Sequence, residues 1–287
     1  MPKNIIFVLL FVLLVINSQT SFGQGDKAEP QTELDSMNQA NEACDRLSVS
    51  FGAFFSGYNS GITIGSKNLG LGLVIDIEDA LGLDVSNFAT RGKVIYRFGK
   101  TKKHALAAGY FGINRNANKV LQDSLQLGDT SYPIGTELTS KYNLTIIRLK
   151  YDYSFYQDKR VSLGASFGMF IMPVNFSVRA QGKEDQVTNF VAPLPLIGLR
   201  SDFQIGKKFY LRQTAELLYL SFTDFKGSLL DLTIMLEHKT FKNVGFGFGI
   251  NSNRVNVTIK DPESKLNFFG DIRIGYTGLL LYGRYFF

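Results

Sequence analysis

The 287-residue sequence is poor in the residue types that build many small sites and scaffolds: it has no tryptophan, one cysteine and two histidines. A lone thiol cannot form an intramolecular disulfide or a zinc cage, so we interpret Cys44 as structural or incidental. Beyond the N-terminus, no run approaches the roughly 18 apolar residues that a membrane helix needs. No HExxH, P-loop or GxSxG motif is present. These absences argue against a disulfide scaffold, a helical membrane protein and the commonest hydrolase and nucleotide sites.

The N-terminus has the pattern of a secretory signal peptide. Lys3 precedes an apolar run of 12 residues, Ile5 to Ile16, and small residues at positions 21 and 23 precede a plausible cleavage site at Gln24. As a helix this run would span about 18 Å, short of a hydrocarbon core of about 30 Å. We therefore predict a signal peptide over residues 1–23. Residues 24–45 contain few apolar side chains and are predicted to form a flexible periplasmic lead-in.

The C-terminal sequence LLLYGRYFF alternates with a period of two, which predicts a β-strand. In this register Arg284 lies on the face opposite Phe287. The ending resembles that of bacterial outer-membrane β-barrels, whose last strand carries a terminal aromatic residue and another aromatic two positions earlier. Tyr285 and Phe287 match that pattern. The resemblance implies that these two residues form an insertion signal read by the barrel-assembly machinery.

The same alternation recurs from Arg46 to the end of the chain. The clearest predicted strands are Phe88–Phe98, His104–Ile113, Tyr142–Tyr156, Val161–Ile171, Leu196–Ile205, Phe209–Phe222 and Leu266–Phe287. After Pro173 the apolar parity changes, which suggests a bulge near the proline. Short polar turns at 99–103, 157–160, 206–208 and 241–243 alternate with longer connections at 114–135, 179–192 and 260–265. Short periplasmic turns and longer external loops are typical of outer-membrane barrels.

We therefore predict an all-β fold: a transmembrane, antiparallel, up-and-down β-barrel over residues 46–287, in the outer membrane of a Gram-negative bacterium. Twelve strands are favoured if Ile62–Gly65 is a strand of its own, and ten if the 61–86 region is partly loop. The alternative is a soluble β-sandwich, where alternating strands also occur. Aromatic-rich apolar faces, the signal peptide and the terminal Phe287 favour the barrel.

Three motifs resemble a family of outer-membrane β-barrels. They are the acidic turn DIEDALGLD at Asp76–Asp84, the run Tyr96–Phe98 followed by His104, and APLPLIGL at Ala192–Leu199. In that family an acidic turn, a YRF…H strand pair and a PLPxxGL strand entry recur in this order. The resemblance implies the fold and names no particular chemistry.

If the apolar faces contact lipid, the opposite faces line the lumen with charged side chains. The predicted lumen-lining residues are Arg91, Lys93, Arg97, Arg148, Lys150, Asp152, Arg200, Asp202, Arg212, Glu216, Asp231, Glu237 and Arg284. An Arg or Lys on the lipid face at mid-depth would cost about 2–4 kcal/mol. Two interpretations follow from the excess of basic residues. Either a salt-bridge network closes a narrow structural or adhesive barrel, or a basic, porin-like pore admits small anionic solutes.

A barrel enzyme acting on membrane lipid is a third interpretation, since such chemistry needs a base beside a nucleophile. Both histidines, His104 and His238, adjoin predicted periplasmic turns, and His238 shares the parity of the lipid-facing residues. We therefore predict no catalytic residue, metal ligand or cofactor. Outer-membrane lipid is the expected partner. Nucleic acid is not, because the basic residues are dispersed along strands.

Overall fold

The computed structural model describes residues 45–64, 75–127, 130–180, 186–223, 225–260 and 270–287. The predicted signal peptide and residues 24–44 of the predicted lead-in lie outside these ranges. Among the described residues, no helix is long and apolar enough to cross a membrane. The elements, in chain order, are β1 Leu47–Ile64, β2 Ile75–Asp76, α1 Ile77–Leu81, β3 Ser86–Phe98, β4 His104–Val120, β5 Leu125–Leu127, β6 Thr130–Tyr132, β7 Glu137–Gln157, β8 Val161–Ala180, β9 Gln186–Gln204, β10 Phe209–Ser221, β11 Phe225–His238, β12 Val244–Ile259 and β13 Gly270–Phe286.

Ten of the described strands form one closed antiparallel barrel, in the order β1, β3, β4, β7, β8, β9, β10, β11, β12 and β13. The barrel closes where β13 pairs with β1, from Ser48 opposite Phe286 to Ile64 opposite Gly270. The chain ends and the short turns meet at one end, which we call the periplasmic end, and the opposite end is the outer end. Closure gives every long strand a hydrogen-bonded neighbour on each side in the periplasmic half of the barrel.

Among the described residues the barrel has ten strands, the alternative that the sequence left open, and the favoured count of twelve is wrong. The sequence of residues 57–61, GYNSG, predicts a turn, yet this stretch lies inside β1 and pairs with β13 without interruption. Ile62–Ile64 therefore continues that strand. A further short strand is predicted over Gly70–Ile77; residues 70–74 lie outside the described ranges, and residues 75–77 form the short β2 and the first residue of α1. A closed sheet supplies a pairing partner to glycines and asparagines that locally favour turns.

Two of the predicted external loops are largely strand. β4 continues to Val120, β5 and β6 form a hairpin, and β7 already begins at Glu137. The predicted 179–192 loop falls partly in β8 and partly in β9, with 181–185 outside the described residues. Of the predicted 260–265 loop, only residue 260 is described. The polar residues that suggested loops occupy outward-facing strand positions in the outer half of the barrel.

The bulge predicted near Pro173 is not where the register shifts. β8 pairs with β9 straight through Pro173, which lies opposite Val191. The described register shift lies on β7, between Ser154 and Tyr156. The parity change along β8 has another cause, because the same inward face that carries Gly164 and Ser166 near the periplasmic end carries buried apolar residues near the outer end.

The barrel exterior is apolar in its periplasmic half and polar in its outer half. Exposed aromatic side chains include Phe51, Phe167 and Phe248, each more than half accessible at 67%, 63% and 57%. Beyond this apolar belt the outward positions become polar, with Asn175 and Arg254 as examples. A transmembrane barrel carries an outward apolar band about 25 Å tall. The belt therefore marks the membrane, and the outer halves of the strands project beyond it.

Candidate functional site: the barrel interior

The interior of the periplasmic half, here called the inner compartment, contains a cavity of about 90 Å³. Ten of the thirteen predicted lumen residues line it: Arg91, Lys93, Arg97, Arg148, Lys150, Arg200, Asp202, Arg212, Glu216 and Arg284. The other three, Asp152, Asp231 and Glu237, are buried nearby and form ion pairs with cavity-lining arginines. The structure thus brings the whole predicted set together inside the barrel.

Small inward residues make room for these long side chains. A Cβ added to Gly168 would lie 2.2 Å from the carbonyl oxygen of Leu149 and 2.9 Å from Cγ of Lys150. At Gly198 an added Cβ would lie 2.7 Å from Oγ of Ser166 and 3.0 Å from Cγ of Glu216. Alternation of glycine and serine with apolar residues along β8 therefore leaves inward space for the charged side chains of the neighbouring strands.

Asp231 on β11 is the most heavily bonded carboxylate of the inner compartment, and its residue is fully buried. It accepts hydrogen bonds from Nη2 of Arg148 at 2.9 Å and from the amides of Asn251 and Asn253 at 2.9 and 2.8 Å. The hydroxyl of Thr233 donates at 3.2 Å. A buried carboxylate with this many partners holds neighbouring strands together rigidly. Its removal would leave the Arg148 guanidinium without its main acceptor.

Glu237 is a second centre, nearer the periplasmic end. Its carboxylate accepts from Arg212 at 2.9 Å, from Arg284 at 3.1 Å and from the Tyr282 hydroxyl at 3.0 Å. Arg284 also donates to Oγ of Ser48 at 2.8 Å. This chain of contacts joins β10, β11 and β13 to β1, so it ties the strands across the closure of the barrel.

Each of the remaining carboxylates extends one of the two centres, Glu216 that of Asp231 and Asp202 that of Glu237. Asp202 pairs with both Arg200 and Arg212, and Asp152 lies 3.6 Å from Nε of Arg200. Glu216 pairs with Lys150 and lies 3.7 Å from Nη1 of Arg148. The side chains of all five carboxylate residues are at most 6% exposed. Five carboxylates and five basic side chains from β7, β9, β10, β11 and β13 thus form two adjacent groups of ion pairs, one around Asp231 and Glu216 and one around Asp202 and Glu237.

β3 contributes three further basic residues, Arg91, Lys93 and Arg97, to the cavity lining. Arg91 donates to the side-chain carbonyl of Asn251 at 3.1 Å. Arg97 donates to the backbone carbonyl of Asp45 at 3.2 Å. Lys93 lines the cavity with them, and no contact of its ammonium with an acceptor is found among the described residues. β3 therefore presents a basic wall to the cavity.

The interior of the outer half, here called the outer compartment, is filled by apolar side chains. Phe54, Phe111 and Tyr276 form an aromatic cluster with ring centroids 5.3 to 5.6 Å apart. Around it pack buried residues from the other strands: Leu138, Leu144, Ile146, Phe170, Met172, Val174, Phe176, Val178, Leu194, Leu196, Val255, Val257, Ile272 and Ile274. This packing forms a hydrophobic core inside the barrel, above the charged network.

Sequence reasoning missed a buried ion pair in the outer compartment, between Glu78 and Arg115. Arg115 Nη1 lies 2.5 Å from Oε1 of Glu78, and both side chains are at most 4% exposed. The guanidinium also lies over the rings of Tyr58 and Tyr142. The available signal was Arg115 inside a predicted loop and Glu78 inside the acidic motif. Neither could be placed inward without the strand assignment.

Glu78 attaches the α1 segment to the barrel wall. β3 pairs with β4 only up to Thr90 opposite Gly112, so the outer parts of β1 and β4 lack a strand between them. α1 stands at this position: the backbone N–H of Ser60 on β1 donates to Glu78 at 2.8 Å. The Asp76 side chain caps α1, and Gly82, at φ +69°, ends it. The acidic motif therefore fills the gap between the outer parts of β1 and β4 in the barrel wall.

The two histidines lie on the barrel exterior near the periplasmic end. Nδ1 of His104 is 2.6 Å from the Tyr151 hydroxyl, and its ring stacks on Phe98. Nδ1 of His238 is 3.1 Å from Oγ1 of Thr240, and its ring packs on Phe209. Both are members of an aromatic girdle, where amphipathic rings commonly meet the membrane interface.

The predicted insertion signal, Tyr285 and Phe287, also lies on the exterior at the periplasmic rim. Their rings form an edge-to-face pair with centroids 4.6 Å apart. The backbone N–H of Phe287 donates to the carbonyl of Leu47 at 2.9 Å, where the last strand meets the first. The two aromatic residues therefore sit beside the barrel closure, and their reading by the assembly machinery stays a prediction.

Comparison with known proteins shows similarity to solved structures and no match in sequence. No protein-family model and no curated protein sequence matches the chain. The outer membrane protease OmpT from Escherichia coli is 10% identical, with a TM-score of 0.55 over 85% of this chain and 97% of that one. The transport unit of the autotransporter AIDA-I from E. coli is 11% identical, with a TM-score of 0.39 over 89% and 96%. Ail of Yersinia pestis, in complex with the heparin analogue sucrose octasulfate, is 11% identical, with a TM-score of 0.37 over 84% and 99%.

At these identities the likeness to OmpT concerns the fold. It agrees with the closed antiparallel sheet and with the outward apolar belt around the periplasmic half. A soluble sandwich would have two packed sheets and no such belt. The chain therefore has the fold of an outer-membrane β-barrel, as the sequence predicted.

Proposed function

We propose that this protein is a closed structural barrel that displays its outer half beyond the membrane and conducts no solute. The apolar core of the outer compartment carries this proposal. Phe54, Phe111, Ile146 and Phe170 are at most 2% exposed, so they lie in direct contact where a channel would run. Water and ions avoid such a dry, close-packed region, because interiors of this kind contain few voids larger than a water molecule.

The charged network below the core supports the same proposal. Each of its five carboxylates forms an ion pair with a basic residue of another strand, which suits cross-bracing. A selective pore would instead present rings of charge to passing ions. The projecting outer half, with its polar exterior and the β5–β6 hairpin, is the surface that a structural or adhesive role would use.

Planar-bilayer recording of the refolded protein tests the proposal. We expect no channel events for wild type under an applied voltage, in parallel with a known porin as the conducting control. A triple variant, Phe54→Ala, Phe111→Ala and Tyr276→Ala, removes the aromatic cluster and is expected to give small conductance steps. Steady conductance of the wild-type protein would overturn the closed-barrel proposal.

A narrow anion pore is the second candidate, and the basic wall of β3 favours it. Eight basic residues face five acidic ones in the inner compartment, and a basic lining selects anions. The same recordings separate the two candidates. Anion-selective conductance would support the pore, whereas silence or cation preference would remove it.

A further inference from the structure

The charges of the inner compartment are unevenly distributed around the barrel. Its carboxylates come from β7, β9, β10 and β11, and each pairs with a basic residue of the network. The inward residues of β1 and β4, the two neighbours of β3, are small here, as at Ser50, Gly52 and Gly109, and β12 contributes the neutral Asn251. The excess positive charge is therefore concentrated on the β3 wall.

Lys93 lies at the centre of that wall. In the sheet it is opposite Ser50 on β1 and Gly109 on β4, two residues with small side chains. Arg91, the next inward residue of the strand, donates to one neutral acceptor, Asn251. Both side chains line the cavity. Both residues are only partly exposed, and a partly desolvated cation gains from an anion that contacts it directly.

We propose that the cavity binds a small inorganic oxyanion, phosphate or sulfate, between the Lys93 ammonium and the Arg91 guanidinium. Guanidinium groups present paired N–H donors that match two oxygens of such an anion, and the ammonium adds a compact charge. A water molecule needs roughly 10–15 Å³ of cavity space of this kind, so about 90 Å³ admits a small oxyanion with waters but no sugar or nucleotide.

Thermal unfolding of the refolded protein in detergent, at constant ionic strength, tests this site. Phosphate is titrated from zero to about 50 mM, and chloride is the balancing salt. An anion that binds only the folded protein raises Tm as its concentration rises. We expect the wild-type Tm to rise by several degrees with phosphate or sulfate. In Lys93→Met the apparent affinity is expected to fall at least about tenfold, while Tm in chloride alone rises, because the variant buries no unpaired charge.

Lys207→Met is the matched control, because it removes the same charge from an exposed periplasmic turn. It should retain the wild-type anion dependence. Sulfate also stabilises proteins by exclusion from their surfaces, and that effect would appear equally in all three proteins. Equal stabilisation of the three proteins, or equal effects of chloride and phosphate, would therefore overturn the oxyanion site.

Phosphorus NMR of wild-type protein with inorganic phosphate provides a readout that needs no variant. Bound phosphate should broaden or shift the resonance, and excess sulfate should restore it by competition. If Lys93→Met does not fold, Arg91→Gln is measured instead, with the same expected loss of affinity. An unperturbed phosphate resonance with the wild-type protein would reject the proposal even if the variants behave as expected. Conductance is measured separately, so failure of the closed-barrel proposal and failure of this site are distinguishable.

Discussion

The two halves of this barrel are built with opposite polarity. In the periplasmic half the exterior is apolar, as at Phe167 and Phe248, and the interior holds the buried carboxylates Asp231 and Glu237. In the outer half the interior holds Phe111 and its neighbours, and the exterior is polar. The solvent of each half explains the difference, since lipid surrounds the first and water surrounds the second. The outer half is thus packed like a soluble protein, whereas the membrane half is cross-braced by charges.

The largest expected effect comes from breaking the charged network at its most bonded residue. Asp231→Ala leaves Arg148 buried with one weaker partner, Glu216, and adds to the positive excess. Loss of one partner of a buried ion pair typically costs 3–5 kcal/mol, and we expect about 5 kcal/mol here. Urea unfolding of the barrel in detergent micelles measures it, with the exposed Glu137→Ala as control. A loss below about 1 kcal/mol would show that the network does not brace the membrane half.

The corresponding change in the outer compartment is Phe111→Ala, which empties the centre of the aromatic cluster. Truncation of a buried Phe to Ala typically costs 3–5 kcal/mol, and we expect about 3 kcal/mol. The lipid-facing Phe155→Ala is the matched control, since its ring is 56% exposed. If the two variants unfold at the same urea concentration, the outer compartment is not the hydrophobic core described above.

Glu78→Ala tests how the α1 segment is attached between the outer parts of β1 and β4. It removes the contacts of Glu78 with Arg115 and with the backbone of Ser60, and we expect a local loss of about 2 kcal/mol. Hydrogen exchange should rise over residues 75–85 while the membrane half keeps its protection. The exposed Asp79→Ala is the control. Uniform loss of protection throughout the barrel would contradict a local role for the α1 attachment.

The smallest effect is expected on the exterior. His104→Ala removes one ring from the aromatic girdle and should cost about 0.5–1.5 kcal/mol. The phospholipid and lipopolysaccharide profile of cells that express the variant should match that of wild type, with His238→Ala as a second comparison. Lipid release that depends on His104 would instead revive the lipid-hydrolase interpretation.

The membrane half was predictable because lipid imposes a simple code. Outward residues there must be apolar, so alternation in β7 around Arg148 and Lys150 identified the inward face directly. The outer half obeys the reverse code, and the sequence prediction therefore failed there. Polar outward residues of β4 were assigned to a loop, and inward Phe176 on β8 was taken as evidence of a bulge near Pro173.

Partners within the site could not be derived from alternation. Parity places Asp231 and Arg148 on inward faces, but they lie 83 positions apart and meet only through the register of the sheet. Neutral partners such as Asn251 and Tyr282 carry no charge signal in the sequence. The pair of Glu78 and Arg115 was hidden for a further reason, since it depends on the gap left where β3 ends.

The sequence by itself determined the class of the protein. Apolar and polar residues alternate with a period of two, the C-terminal strand ends in aromatic residues, and no long apolar run follows the N-terminal one. Few folds other than a transmembrane barrel have all three features. It also determined which charges face inward in the membrane half. Tertiary structure alone decided the count of ten strands, the filled outer compartment and the basic wall of β3. Those features depend on which strands become neighbours and where each one ends, and pairing across a closed sheet leaves no mark in the local alternation of residues.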